Sequence, residues 1–139
     1  MNKATDAELI YRCLEFAAEK IGDLHLPVLE KYHLRLPGAK AELERHGNSE
    51  ELEHSMVEQA LYCLMTWFER PAEVQIVLQD TVPHHINTLK VPMRYLEELM
   101  NVLIDVVAEA LPVTAEAEIT TLQKLREEIQ LTLQEAVIV

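Results

Sequence analysis

Six histidines are the side chains here best suited to hold a metal ion or move a proton: His25, His33, His46, His54, His84 and His85. Imidazole titrates near neutrality and offers a nitrogen lone pair to a metal. Two of them fall in Glu-x-x-His pairs, Glu30 with His33 and Glu51 with His54. On a helix this spacing puts carboxylate and imidazole on one face, an arrangement that di-iron four-helix bundles use. Such a site also needs a lone inward glutamate from each of two other helices, and its paired motifs stand on non-consecutive long helices. Here the pairs are close in sequence with Pro37-Gly38 between them, and chance pairs are expected in a chain this rich in glutamate. The two cysteines, Cys13 and Cys63, lie far apart in apolar helical surroundings, so they read as buried thiols rather than a disulfide or a metal pair. There is no Cys-x-x-Cys and no glycine loop to cradle phosphate, and no Ser or Cys nucleophile has a convincing base in local sequence. No catalytic residue is assigned, and whether the chain is an enzyme stays open, with a binding role favoured.

The elements that must position these groups are helices. Hydrophobic residues make up 49% of the 139-residue chain and charged residues 26%, the balance of a folded globular protein, and only 3 glycines interrupt it. A capping box, Thr5-x-x-Glu8, opens a first helix, which Gly22-Asp23 ends. A second spans Leu24 to Leu36, with Pro27 tolerated near its start, and Pro37-Gly38 breaks it. A short turn runs on to about Leu43. Asn48 or Ser49 caps a long helix to about Arg70, with Leu52, Met56, Ala60, Leu64 and Trp67 as its stripe. The next, Ala72 to about Thr88, is split or kinked by Pro83. Val91-Pro92 opens a helix closed by Leu111-Pro112, and Thr114 caps the last. The expectation is one all-α domain over residues 1–139, a bundle of five long helices plus one or two short ones.

The formal charge of −12 argues against nucleic acid, whose phosphates need clustered Lys and Arg, and against an anionic membrane surface. The most apolar run, Val102 to Val113, is broken by Asp105 and Glu109, and the first residues carry no apolar signal region. A cytoplasmic location is expected.

His85 stands apart from the other histidines because of its C-terminal neighbours. The run His85-Ile-Asn-Thr-Leu-Lys-Val-Pro-Met-Arg-Tyr-Leu-Glu-Glu-Leu resembles the globin junction between the proximal-histidine helix and the next long helix, with Val91, Pro92 and Tyr95 in register. Leu34-Arg35-Leu36-Pro37 followed by a short turn is similar to the globin corner at one haem edge, and the helix from near Asn48 takes the place of the distal helix. The resemblance implies a globin-like bundle holding haem b. His85 would be the proximal iron ligand. His54 would be the distal residue and a second candidate ligand, its alternative being a solvated histidine paired with Glu51 or Glu58. Leu43, Met56, Ala60 and Tyr95 would line the pocket, and Lys90, Arg94 and Arg45 would meet the propionates. Oxygen, nitric oxide or a similar gas would be the ligand, or redox state the signal. The chain departs from the globin pattern at Leu43, where phenylalanine is usual, at Thr81, where leucine is usual, and at Pro83. Those departures suit a second expectation, a haem-free globin-fold protein acting through dimerisation or a separate signalling partner. The apolar end Val137-Ile138-Val139 would then pack in an interface.

Overall fold

Why this chain is helical is visible at its helix starts. In a computed structural model describing residues 4–138, with side chains to Val137, the Thr5 hydroxyl accepts from the Glu8 N–H at 3.2 Å and opens α1 (Asp6–Lys20). Gly22 at φ 83° turns the chain out of it, a conformation that costs glycine little. Then come α2 (His25–Arg35) and α3 (Ala39–Glu44). Asn48 caps α4 (Ser49–Thr66) by accepting from the N–H groups of Glu50 and Glu51 at 3.1 and 3.3 Å. Pro71 stands in the first turn of α5 (Pro71–Pro83), where its missing N–H costs nothing. A π-helical turn spans His84–Thr88, and beyond it lie α6 (Met93–Ala110) and α7 (Glu116–Ile138). The described residues contain no strand, so the protein is all-α.

Two boundaries differ from the sequence expectation for physical reasons. The helix of α4 closes at Thr66, not Arg70, because the chain tightens there: the Thr66 carbonyl accepts from both Glu69 and Arg70 before Pro71. The final helix begins one residue later than a Thr114 cap implies. Ala115 receives the first helical bond, from Ile119 at 3.0 Å.

The core is built around α6, which packs against α1, α2, α4 and α7. Val102, Leu103, Ile104 and Val107 have no solvent exposure at all. Full burial of side chains of this size stabilises the fold by about 1.5–3 kcal/mol each before chain entropy is counted. Helix α7 answers with Leu122, Leu125, Ile129 and Leu133 and lies across α1 and α5. The charge that interrupts the apolar run of α6, Asp105, is clamped from two sides. Arg35 of α2 donates to it at 2.6 Å, and Arg126 of α7 donates to its other oxygen while also bonding Asn101 at 2.9 Å. Trp67 at the end of α4 donates its indole N–H to Glu128 of α7 at 3.0 Å.

Partial burial pushes the Asp105 carboxyl upward, but the two guanidiniums outweigh it and hold its pKa below the usual 3.8. A folded-state pKa below the unfolded one contributes stability that is present above roughly pH 4 and lost as pH falls through the folded value. Asp105→Asn should therefore lower stability by about 1–2 kcal/mol at pH 7. In urea denaturation followed by circular dichroism, the gap between wild type and variant should shrink as the pH falls below the ordinary carboxylate value of 3.8 and through the lower folded-state one. An equal gap at neutral and at low pH would remove the ion pairs from the account of stability.

Candidate functional site

Pro83 sets the geometry around His85. Proline has no N–H to return to the carbonyl four residues back, so the helical ladder loses a rung at the end of α5. The backbone then widens into the π turn, with Leu89 N–H bonding the His84 carbonyl at 3.0 Å. The Thr81 carbonyl accepts from the His84 N–H and also from the His85 ring, at 2.8 Å from Nδ1. A carbonyl can only accept, so Nδ1 carries the hydrogen and Nε2 keeps a lone pair. Lys90 takes a φ of 60°, uncommon for a residue with a side chain, and the Val91 N–H returns to the His85 carbonyl at 2.8 Å. This corner aims the following helix, α6, back across the histidine.

His85 lies on the walls of two small apolar cavities. One, of about 80 Å³, runs between α4, α5, α6 and α7, with Ala60, Cys63, Leu78 and Ile129 among its walls. The other, of about 100 Å³, runs between α3, α4 and α6, with Leu43, Leu52, Leu89 and Tyr95 among its walls. Met56, His85, Leu96 and Leu99 border both and stand between them. Thr81 lines the first cavity and accepts at its hydroxyl from the Gln59 amide at 3.4 Å. Tyr95 is seated by its neighbours: the Tyr32 hydroxyl donates to its carbonyl at 3.1 Å, and any Cβ at Gly38 would come within 3.1 Å of its own hydroxyl.

The structure thus brings together five of the residues singled out from sequence: His85, Leu43, Met56, Ala60 and Tyr95. The cations stay outside. Lys90 and Arg94 are exposed, with the Arg94 guanidinium 5.3 Å from the Tyr95 ring centre, and Arg45 pairs with Glu42 and donates to the Leu89 carbonyl at 3.1 Å.

His54 lines neither cavity, which corrects its expected distal place; it takes the alternative, a solvated histidine beside Glu58. Its side chain is 66% exposed, and its Nε2 sits 3.7 Å from Glu58. Helical phase is the reason: two residues from Met56 is a rotation of about 200°, which places His54 on the opposite side of α4. The Glu-x-x-His pairs do not close on themselves. His33 meets Glu53 across the α2–α4 contact at 3.0 Å, and His54 meets Glu58. Sequence reasoning also passed over His46, Cys63, Leu89 and Leu96 as cavity residues. The signal for His46 was its i,i+4 spacing from Glu42, to which its Nε2 lies 3.3 Å away.

Both thiols are buried, as expected. Burial pushes Cys63 up to about 11, and burial followed by Glu118 pushes Cys13 up to about 12. No helix among the described residues is long and apolar enough to cross a membrane. No family model, curated protein or solved structure matches the chain.

Because thiolate and access are both needed for reaction, neither cysteine should react with an aromatic disulfide reagent at pH 8 in the folded protein. Both should react within seconds in guanidinium chloride. Rapid labelling of Cys63 in the native state would show that the first cavity opens to solvent.

Proposed function

We propose that this chain is a haem-binding protein with a globin-like helical arrangement, in which His85 supplies the axial imidazole. The observation that carries the reading is His85 itself: a histidine with Nδ1 tied to the Thr81 carbonyl at 2.8 Å, its Nε2 without a hydrogen-bond partner among the described residues, set between two apolar cavities. The donor chemistry fits the group, while cavities of about 80 and 100 Å³ would have to merge, with Met56, Leu96 and Leu99 moving apart, to admit it. An imidazole of fixed tautomer is the required donor, and walls of Met, Leu, Ala and Val suit an apolar macrocycle and keep water from it. When bound, haem would supply an iron centre able to take a small gas such as oxygen or nitric oxide, or to change oxidation state. The chain's own residues would do the rest. Thr81 orients the His85 ring, and the π turn after Pro83 sets its height relative to α4. Met56, Gln59, Ala60 and Cys63 are the α4 side chains lining the first cavity beside it, mostly apolar, with the Gln59 amide engaged by the Thr81 hydroxyl. Tyr95 and Leu43 close the α3 side.

A second reading is a haem-free protein of the same fold, whose function lies in dimerisation or partner binding. It is favoured by the modest size of the cavities, about 80 and 100 Å³, and by the side chains standing between them. Val137 is partly exposed, as that reading asks, whereas the side chains of Ile138 and Val139 lie outside the described residues.

Titration of the purified protein with haemin, read by absorption, separates the two. Saturable one-to-one growth of a Soret band, lost in His85→Ala while far-ultraviolet circular dichroism is retained, is the expected outcome. His54→Ala should leave the spectrum unchanged. No specific band in the wild type, or an undiminished one in His85→Ala, would overturn the assignment.

A further inference from the structure

On the side of α4 away from the cavities, α2 and α4 bring His25, His54 and Glu58 together, with one ligand-type atom from each within 4.8 Å of the others. The His25 Nδ1 lies 2.7 Å from an Asp23 carboxylate oxygen. A carboxylate accepts, so Nδ1 carries a hydrogen, and in the neutral ring Nε2 keeps its lone pair on the side where Glu58 lies. That Nε2 is buried and has no hydrogen-bond partner among the described residues, although a Glu58 oxygen lies 2.9 Å from it, off the direction a hydrogen bond requires. His54 stacks on His25, ring centres 4.5 Å apart and 12° from parallel, and turns its own Nε2 to the same carboxylate at 3.7 Å.

We propose that this cluster is a divalent transition-metal site of the zinc class, with His25 Nε2, His54 Nε2 and the Glu58 carboxylate as ligands and a fourth position open to water. Donors about 2.0–2.1 Å from a tetrahedral centre lie roughly 3.3 Å from each other. The separations from Glu58, 2.9 and 3.7 Å, bracket that value. Two imidazoles with one carboxylate suit zinc and its neighbours rather than magnesium or calcium, which prefer all-oxygen shells. Asp23 holds the outer nitrogen of His25, the supporting contact that fixes the tautomer and direction of a metal-binding histidine. His54, two-thirds exposed, can turn about its side-chain torsions to complete the site, whereas His25, 19% exposed, is already fixed. An ion here would join α2 to α4. The three ligands are distinct from His85 and the cavities, so the site stands or falls independently of haem.

Isothermal titration of the full, haem-free chain with zinc chloride tests it. The expected result is saturable one-to-one binding that weakens at least tenfold in His54→Ala and likewise in Glu58→Gln, with zinc raising the melting temperature of the wild type only. Both replaced side chains are more than half exposed, so the variants should keep their helicity, which circular dichroism checks. Absence of saturable binding overturns the proposal. So does wild-type affinity in either variant, which would place the bound zinc elsewhere.

Discussion

Helix α6 can be buried on nearly every side only because the charge in its most buried stretch is neutralised from outside. Asp105 stands among Val102, Leu103, Ile104, Val106 and Val107, all of them buried. Its carboxylate is only partly covered, and that partial loss of hydration is offset by its two guanidinium partners. Arg35 and Arg126 meet it from α2 and α7, so the three helices are fixed in azimuth as well as in distance. Apolar contacts alone specify that α6 is enclosed, but they tolerate rotation and sliding. The ion pairs select one register, and that register places Leu96, Leu99 and Met100 beside His85.

The second constraint is local and comes from a missing hydrogen. An uninterrupted α-helix through residue 83 would bind the next carbonyls in the ordinary ladder and carry His84 and His85 round at 100° per residue. Proline removes one rung, and the turn widens. Within the turn that follows, the Thr81 carbonyl receives both the His84 N–H and the His85 ring, the latter at 2.8 Å. The residue type at position 81 matters little for that bond, since the acceptor is backbone. Threonine in place of an apolar side chain instead adds a hydroxyl to the first cavity, answered by Gln59.

Much of the helical layout is legible in the sequence because it rests on local rules. The Thr5 and Asn48 caps, the breaks at Gly22 and Pro37-Gly38, and the apolar stripe of α6 all depend on residues within a turn or two of one another. Met56 and Ala60 come from the same periodicity, whereas Tyr95 is expected only from the resemblance of its corner to the globin junction. Pairing across helices is not legible in this way. Glu30 and Glu51 sit at the right spacing from His33 and His54, but the carboxylates that reach them are Glu53 and Glu58. The i,i+3 and i,i+4 spacings admit several partners, and the choice between them is made by how α2 lies on α4. Nearness in number to Met56 suggests an inward His54, yet two positions on a helix mean nearly opposite faces.

Those opposite faces give α4 two separate chemistries. Its inner side offers Met56 and Ala60, uncharged and without strong donors, against a histidine held from α5. Its outer side offers His54 and Glu58 against His25 and Asp23, where imidazole and carboxylate meet at the rim of water. The inner group gains from exclusion of solvent, since a mostly apolar wall protects a hydrophobic ligand and leaves few polar groups beside the His85 nitrogen. The outer group gains from its acidic surroundings, because a chain with a net charge of −12 attracts cations to carboxylates at its surface. One helix serves both because its period separates the two sets by about half a turn. A substitution on one face can therefore alter its chemistry while leaving the other's geometry in place, provided the backbone of α4 keeps its contacts with α2 and α6.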